Sequence, residues 1–135
     1  MRAAPSLQSG DSPVIRQVGP ITATDIVRFA GAGGDFNPLH HDEAAARAAG
    51  FDSIIAMGQF SAGLIAGLLS DWVGIENVRA LEVRFVAPVY VGDLVELSAE
   101  VTEVRRSEAD VSLTAIVGTK QVVTATAKVI RSSRT

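Results

Sequence analysis

Two residues able to move protons, Asp35 and His40, stand five positions apart in the stretch Gly34-Asp35-Phe36-Asn37-Pro38-Leu39-His40. Pro38 fixes its own φ and drives Asn37 out of the α region, so the segment bends instead of continuing as helix. A bend of this kind could turn both side chains toward one pocket. A carboxylate and an imidazole that reach the same bound water can perform general acid–base chemistry on it. The same residue types also suit a polar turn carrying a surface histidine, because Gly, Asp, Asn and Pro all favour turns. Residue types alone leave both readings open.

The flanking sequence supplies elements that could hold this stretch. Val14 to Val18 reads as a short first strand, ended by Gly19-Pro20. Thr22 and Asp25 have the spacing of a capping box, and Ile21 and Ile26 that of a hydrophobic staple, so a helix starts here. Ile26, Val27, Phe29 and Ala30 give it an apolar face, and Gly31, Gly33 and Gly34 end it at the threshold of Asp35. After His40, Asp42 is an N-cap for a short helix from Glu43 to Ala49, closed by Gly50. Glu43 in the first turn suits the helix dipole. Asp42 and Glu43 thereby have structural roles, whereas His41 has no assigned one.

The longest helix is expected from Gly58 to Val73. Phe60, Leu64 and Leu68 recur every four residues, with Ile65, Leu69 and Trp72 on an adjoining lane. A helix apolar nearly all round is a buried one, and Ala62, Gly63, Ala66 and Gly67 would let a sheet approach it closely. Beyond Gly74 the period changes to two. Leu81, Val83 and Phe85, then Val95 to Val101, Val111 to Val117 and Val123 to Val129, alternate apolar and polar positions as half-buried antiparallel strands do. On this reading Phe85 is a core residue, Pro88 marks a bulge or edge, and Gly92-Asp93 is a turn. One buried helix followed by long alternating strands predicts an α+β fold with a curved antiparallel sheet wrapped around the helix.

Composition narrows the class. The chain has 135 residues, 47% apolar and 20% charged, with a net charge of −3. It is one domain of ordinary size, residues 13–135, preceded by a polar tail, residues 1–12, expected to be flexible. No basic field invites nucleic acid, and Arg105-Arg106 reads as a hairpin turn. There is no cysteine, which excludes disulfides and thiolate chemistry and fits a reducing cytoplasm. No metal site is expected. The most apolar segment, 54–69, is short for a membrane span and carries Gln59 and Ser61.

Phe29 to His40, followed by His41-Asp42-Glu43-Ala44-Ala45-Ala46, resembles the signature of the MaoC-like (R)-specific enoyl-CoA hydratases and 3-hydroxyacyl-thioester dehydratases. The likeness runs through the Gly-Asp-x-Asn-Pro-x-His core and the small residue six places after His40. Arg84 to Asp93 resembles the strand junction of the hotdog fold, and the resemblance covers roughly residues 12 to 130.

The resemblance implies reversible hydration of trans-2-enoyl thioesters to (R)-3-hydroxyacyl thioesters. Asp35 and His40 would hold and deprotonate the water, and the amide of Gly58 would receive the charge developing on the thioester carbonyl. Asn37, Met57 and Gln59 are possible supporting residues. Met57 departs from many relatives, which carry histidine there, so any polar role of that side chain is in doubt. Phe36, Phe60 and Leu64 are guesses at an acyl channel, each also explicable as core. No cofactor is implied beyond CoA or acyl carrier protein as the thioester carrier. A homodimer is expected, with a heterodimer as the alternative. Two rival functions share the fold: an acyl-CoA thioesterase, which would place a carboxylate on the central helix, and a non-catalytic acyl-thioester-binding subunit of a heterodimeric dehydratase.

Overall fold

The computed structural model describes residues 1–133. Strand β1 (Arg16–Val18) leads into helix α1 (Ala23–Gly33), a 3-10 turn at Pro38–His40, helix α2 (Glu43–Ala48) and helix α3 (Gly58–Val73). Four long strands follow: β2 (Val78–Phe85), β3 (Val95–Val104), β4 (Glu108–Val117) and β5 (Lys120–Ile130). They form one antiparallel sheet in the order β1-β3-β4-β5-β2. Helix α3 lies against β2, β3, β4 and β5. A sheet packed on one long helix is what the change of period from helical to alternating implied, and it is the arrangement of the hotdog fold that the chain resembles.

Strand parity decides what the sheet presents to the helix. Val95, Leu97, Ala99 and Val101 of β3, Val111, Leu113 and Ala115 of β4, and Val123, Ala125, Ala127 and Val129 of β5 are all buried. Register stacks them in rows, such as Val101 opposite Val111 and Val111 opposite Ala127. The intervening Ser98 and Thr114 face outward and hydrogen-bond each other at 2.8 Å. From α3 the buried side chains are Ser61, Ile65, Leu68, Leu69 and Val73. Each fully buried aliphatic side chain contributes about 1.5–3 kcal/mol relative to exposure, so this one interface dominates stability.

Three expectations change. The small residues of α3 do not admit the sheet: a Cβ on Gly63 would meet nothing within 4 Å, and on Gly67 only the Arg16 guanidinium at 4.0 Å. The bulky Ile65–Leu69 face turns inward instead, because it buries more apolar area.

Residues 1–12, expected to be loose, pack along the body. Leu7 is 3% exposed, Gly10 N–H donates to the Val101 carbonyl at 2.8 Å, and Arg2 donates to the Asp71 and Trp72 carbonyls at the end of α3. Buried Asn77 ties the strap down by donating to the Ala3 and Val73 carbonyls.

Phe85, expected in the core, is 51% exposed. Its parity is inward, but it ends β2 where the sheet runs past the start of α3.

Candidate active site

Local hydrogen bonds explain why the chain bends at the dyad. Thr22 and Asp25 form the reciprocal capping box, at 3.0 and 2.9 Å. Its hydrogen bonds to the backbone and hydroxyl of Thr22 hold the Asp25 carboxyl below its ordinary pKa. At the other end of α1, Gly34 takes a left-handed conformation (φ 71°), which only glycine adopts without cost. Asp35 N–H then returns to the Ala30 carbonyl at 2.9 Å, so Asp35 emerges fixed to the helix end.

Asn37 caps the next turn. Its side-chain oxygen accepts from Leu39 N–H at 3.1 Å, and Pro38 occupies the first position of the 3-10 turn. The Asp35 Oδ1 accepts from Asn37 N–H at 3.2 Å. Asn37 is thus engaged in bracing the loop. Asp42 caps α2 through Ala44 and Ala45 N–H, at 3.0 and 3.2 Å, as its sequence position implied.

These turns bring Asp35 and His40 together. His40 Nε2 lies 3.2 Å from Asp35 Oδ2, with the imidazole 8% and the carboxylate 45% exposed. The other ring nitrogen, Nδ1, lies 2.8 Å from the Ile55 carbonyl. A carbonyl only accepts, so Nδ1 carries a proton, and the tautomer this selects has its lone pair at Nε2. Nε2 and Oδ2 are then two acceptors with room for one shared proton, or for a water that donates to both. Ile55 was invisible as a site residue, since it acts through its backbone and no side-chain pattern marks it. Its own N–H donates to the Leu39 carbonyl at 3.2 Å, and Ala56 N–H to Val89 at 2.8 Å. The connector is thereby clamped between the dyad loop and the loop after β2.

Three residues beyond Ile55, α3 begins. Met57 is its N-cap and makes no side-chain capping bond; the side chain is buried in the core. Phe60 N–H bonds back to the Met57 carbonyl at 3.0 Å, while no acceptor among the described residues takes the Gly58 N–H. Gly58 and Gln59 are exposed. A free amide at the positive end of a 16-residue helix is suited to an anionic oxygen.

The acyl guesses separate. Phe36 is 73% exposed beside the dyad. Phe60 packs edge-on to Phe29, with ring centroids 5.6 Å apart, and with Val18 and Ile21 lines an open apolar cleft of about 400 Å³. Leu64 packs against the core. Another concavity, of about 680 Å³, lies on the outer sheet face among Glu82, Arg84, Thr124 and Thr126, away from the dyad. No three His, Asp or Glu residues converge as a metal site among the described residues, and no helix there is long and apolar enough to cross a membrane.

Known proteins resemble this chain in sequence and fold. The chain is 36% identical over 107 residues to the 3-hydroxybutyryl-CoA dehydratase of Methylorubrum extorquens, covering 76% of this chain and 68% of that protein. It is 36% identical over 94 residues to the (R)-specific enoyl-CoA hydratase of Aeromonas caviae, covering 68% and 70%. A chain of the ChsH1-ChsH2 complex from Mycobacterium tuberculosis superposes with a TM-score of 0.84 at 28% identity, over 92% of this chain and 98% of that one. Residues 6–125 match the MaoC like domain, and with that span, this fold and these relatives the chain belongs to the MaoC-like family.

Proposed function

We propose that this protein adds water reversibly to trans-2-enoyl thioesters, forming (R)-3-hydroxyacyl thioesters, with Asp35 and His40 as the proton-transferring pair. Family membership and the dehydratase and hydratase relatives support the coarser statement, a carbon–oxygen lyase acting on acyl thioesters. The single observation carrying the finer one is the Nε2–Oδ2 approach of 3.2 Å with Nδ1 committed to the Ile55 carbonyl.

In the hydration direction, water bridging Oδ2 and Nε2 loses a proton to the pair as its oxygen bonds to the β-carbon. The π electrons move to the thioester carbonyl, whose developing charge is received by the Gly58 N–H. The pair then delivers the proton to the α-carbon, so one proton is taken and one returned. General acid–base help of this kind is worth about 10²–10⁴-fold, and a backbone oxyanion donor about 10²–10³-fold. The carrier is CoA or acyl carrier protein. The chain works in the cytoplasm as a dimer: β2 ends the sheet with one side unpaired, and a second copy or a related subunit pairs there.

Thioester hydrolysis fits less well. Thioesterases of this fold often place a carboxylate on the central helix; α3 has Gln59 at its start, and its only acid is Asp71, at the far end and paired with Arg16 at 2.8 Å. The deciding experiment follows enoyl-thioester absorbance and free thiol together, with short and long trans-2-enoyl-CoA substrates. Loss of absorbance without thiol is expected. Thiol release without hydration would overturn the proposal.

A further inference from the structure

Glycines occupy two kinds of position in this chain. Seven have positive φ, where the backbone itself asks for glycine. The other five, Gly31, Gly33, Gly58, Gly63 and Gly67, do not, and at four of them an added Cβ would find open space or nothing nearer than 4.0 Å. Gly58 is the exception. Its Cβ would lie 3.1 Å from Cε1 and Cζ of Phe85 and 3.3 Å from Cδ1. Backbone conformation does not demand glycine at 58; the crowding there comes from the Phe85 ring, which an added methyl would have to displace by a few tenths of an ångström.

The ring is also out of place by burial, a large apolar side chain 51% exposed at the end of a strand. Its backbone is nonetheless well anchored. Phe85 pairs with Val123 across β5, and Val86 and Ala87 N–H both donate to the Val122 carbonyl, at 2.9 and 3.2 Å. The Phe85 ring, carried on an anchored backbone, therefore lies against the first residue of α3, beside an amide with no acceptor among the described residues.

We propose that Phe85 is a positioning residue: its ring, laid on the Cα of Gly58, walls one side of the free Gly58 amide, and position 58 is glycine to admit that ring. An apolar wall removes water from one flank of the donor, and a hydrogen bond to a developing anion is stronger where water is excluded. The ring also fixes the direction from which a thioester carbonyl can reach the amide. The catalytic half of this inference rests on the hydratase reading; the steric half does not.

The test is a cycle of wild type, Phe85→Ala, Gly58→Ala and the double variant, with Phe85→Tyr and Phe85→Leu alongside, each read by kcat, KM and Tm. Phe85→Ala should lower kcat about tenfold, less than the about 10²–10³-fold loss of a whole donor, with KM changed less. Phe85→Tyr should restore the rate. Gly58→Ala should lose both Tm and kcat, and the double variant should recover part of each, because the vacated ring space accepts the new methyl. An unchanged kcat in Phe85→Ala, or in Phe85→Leu if the alanine variant does not fold, would overturn the positioning role. A double variant no more stable than Gly58→Ala would overturn the steric pairing. If wild type hydrates no enoyl thioester, the hydratase reading falls, and the Tm cycle still decides the pairing.

Discussion

Asp35→Asn is the substitution that separates chemistry from architecture at this site. Asparagine keeps a side-chain oxygen, so the 3.2 Å acceptance from Asn37 N–H that braces the loop can persist. What changes is the group facing Nε2. In place of an acceptor 3.2 Å from the imidazole lone pair, the variant presents an amide N–H that donates to it. The one proton the pair could exchange with water is replaced by two that the amide does not release. The expected loss in kcat is the general acid–base contribution, about 10²–10⁴-fold or about 2.7–5.4 kcal/mol in activation free energy. Because the carboxylate is nearly half exposed, folding should barely register the change, with Tm moving by less than about 3 °C. The assay is the rate of enoyl-thioester absorbance loss at saturating substrate, beside a thermal melt on the same preparation. A D35N protein that folds normally and turns over within about threefold of wild type would refute the shared-proton argument.

His40→Ala should cost stability as well as rate, since it leaves the part-buried Ile55 carbonyl without its donor. The penalty is about 1–3 kcal/mol, read from urea midpoints, and no shift would mean that the carbonyl finds water instead. Combining it with Asp35→Asn should slow turnover little beyond the worse single variant, as groups acting as one unit are not additive.

Acid stability should report on the β3–β4 hairpin. The Arg105 guanidinium, bonding both carboxylate oxygens of Asp110 at 3.1 and 2.6 Å, holds that carboxyl below its ordinary value of 3.8. A depressed folded pKa means stabilisation that is complete above the unfolded value and lost as pH falls through the folded one. Tm should therefore fall more steeply below about pH 4 for wild type than for Asp110→Asn; equal slopes would show that the pair contributes nothing.

What could be read in the sequence was local. The Thr22–Asp25 box, the Asp42 cap, the end of α1 at Gly34 (Gly31 and Gly33 lie within the helix) and the alternation of β3, β4 and β5 each depend on residues within a turn or a strand of one another, and each is observed. The Gly-Asp-x-Asn-Pro-x-His spacing carried Asp35 and His40 to the same place. What could not be read depended on distant segments meeting. Arg2 reaches α3 across about seventy residues, so residues 1–12 looked untethered. Phe85 had the inward parity of a core residue, but only the length of β2 relative to α3 leaves it at the rim. The small residues of α3 suggested close approach, yet the larger face of the same helix had more area to bury. Ile55 contributes through a carbonyl that every residue possesses.

The clamp at Ile55 divides labour within the enzyme. The imidazole hangs from the carbonyl of residue 55, and the amide that the proposed mechanism offers to the substrate oxygen belongs to residue 58. Three peptide bonds therefore set the spacing between the two proposed tasks, proton transfer and charge reception. Side chains farther along α3 and on the walls around Phe60 lie outside that span. On the proposed mechanism, substitutions there would change which acyl group is admitted without moving the dyad relative to the Gly58 amide.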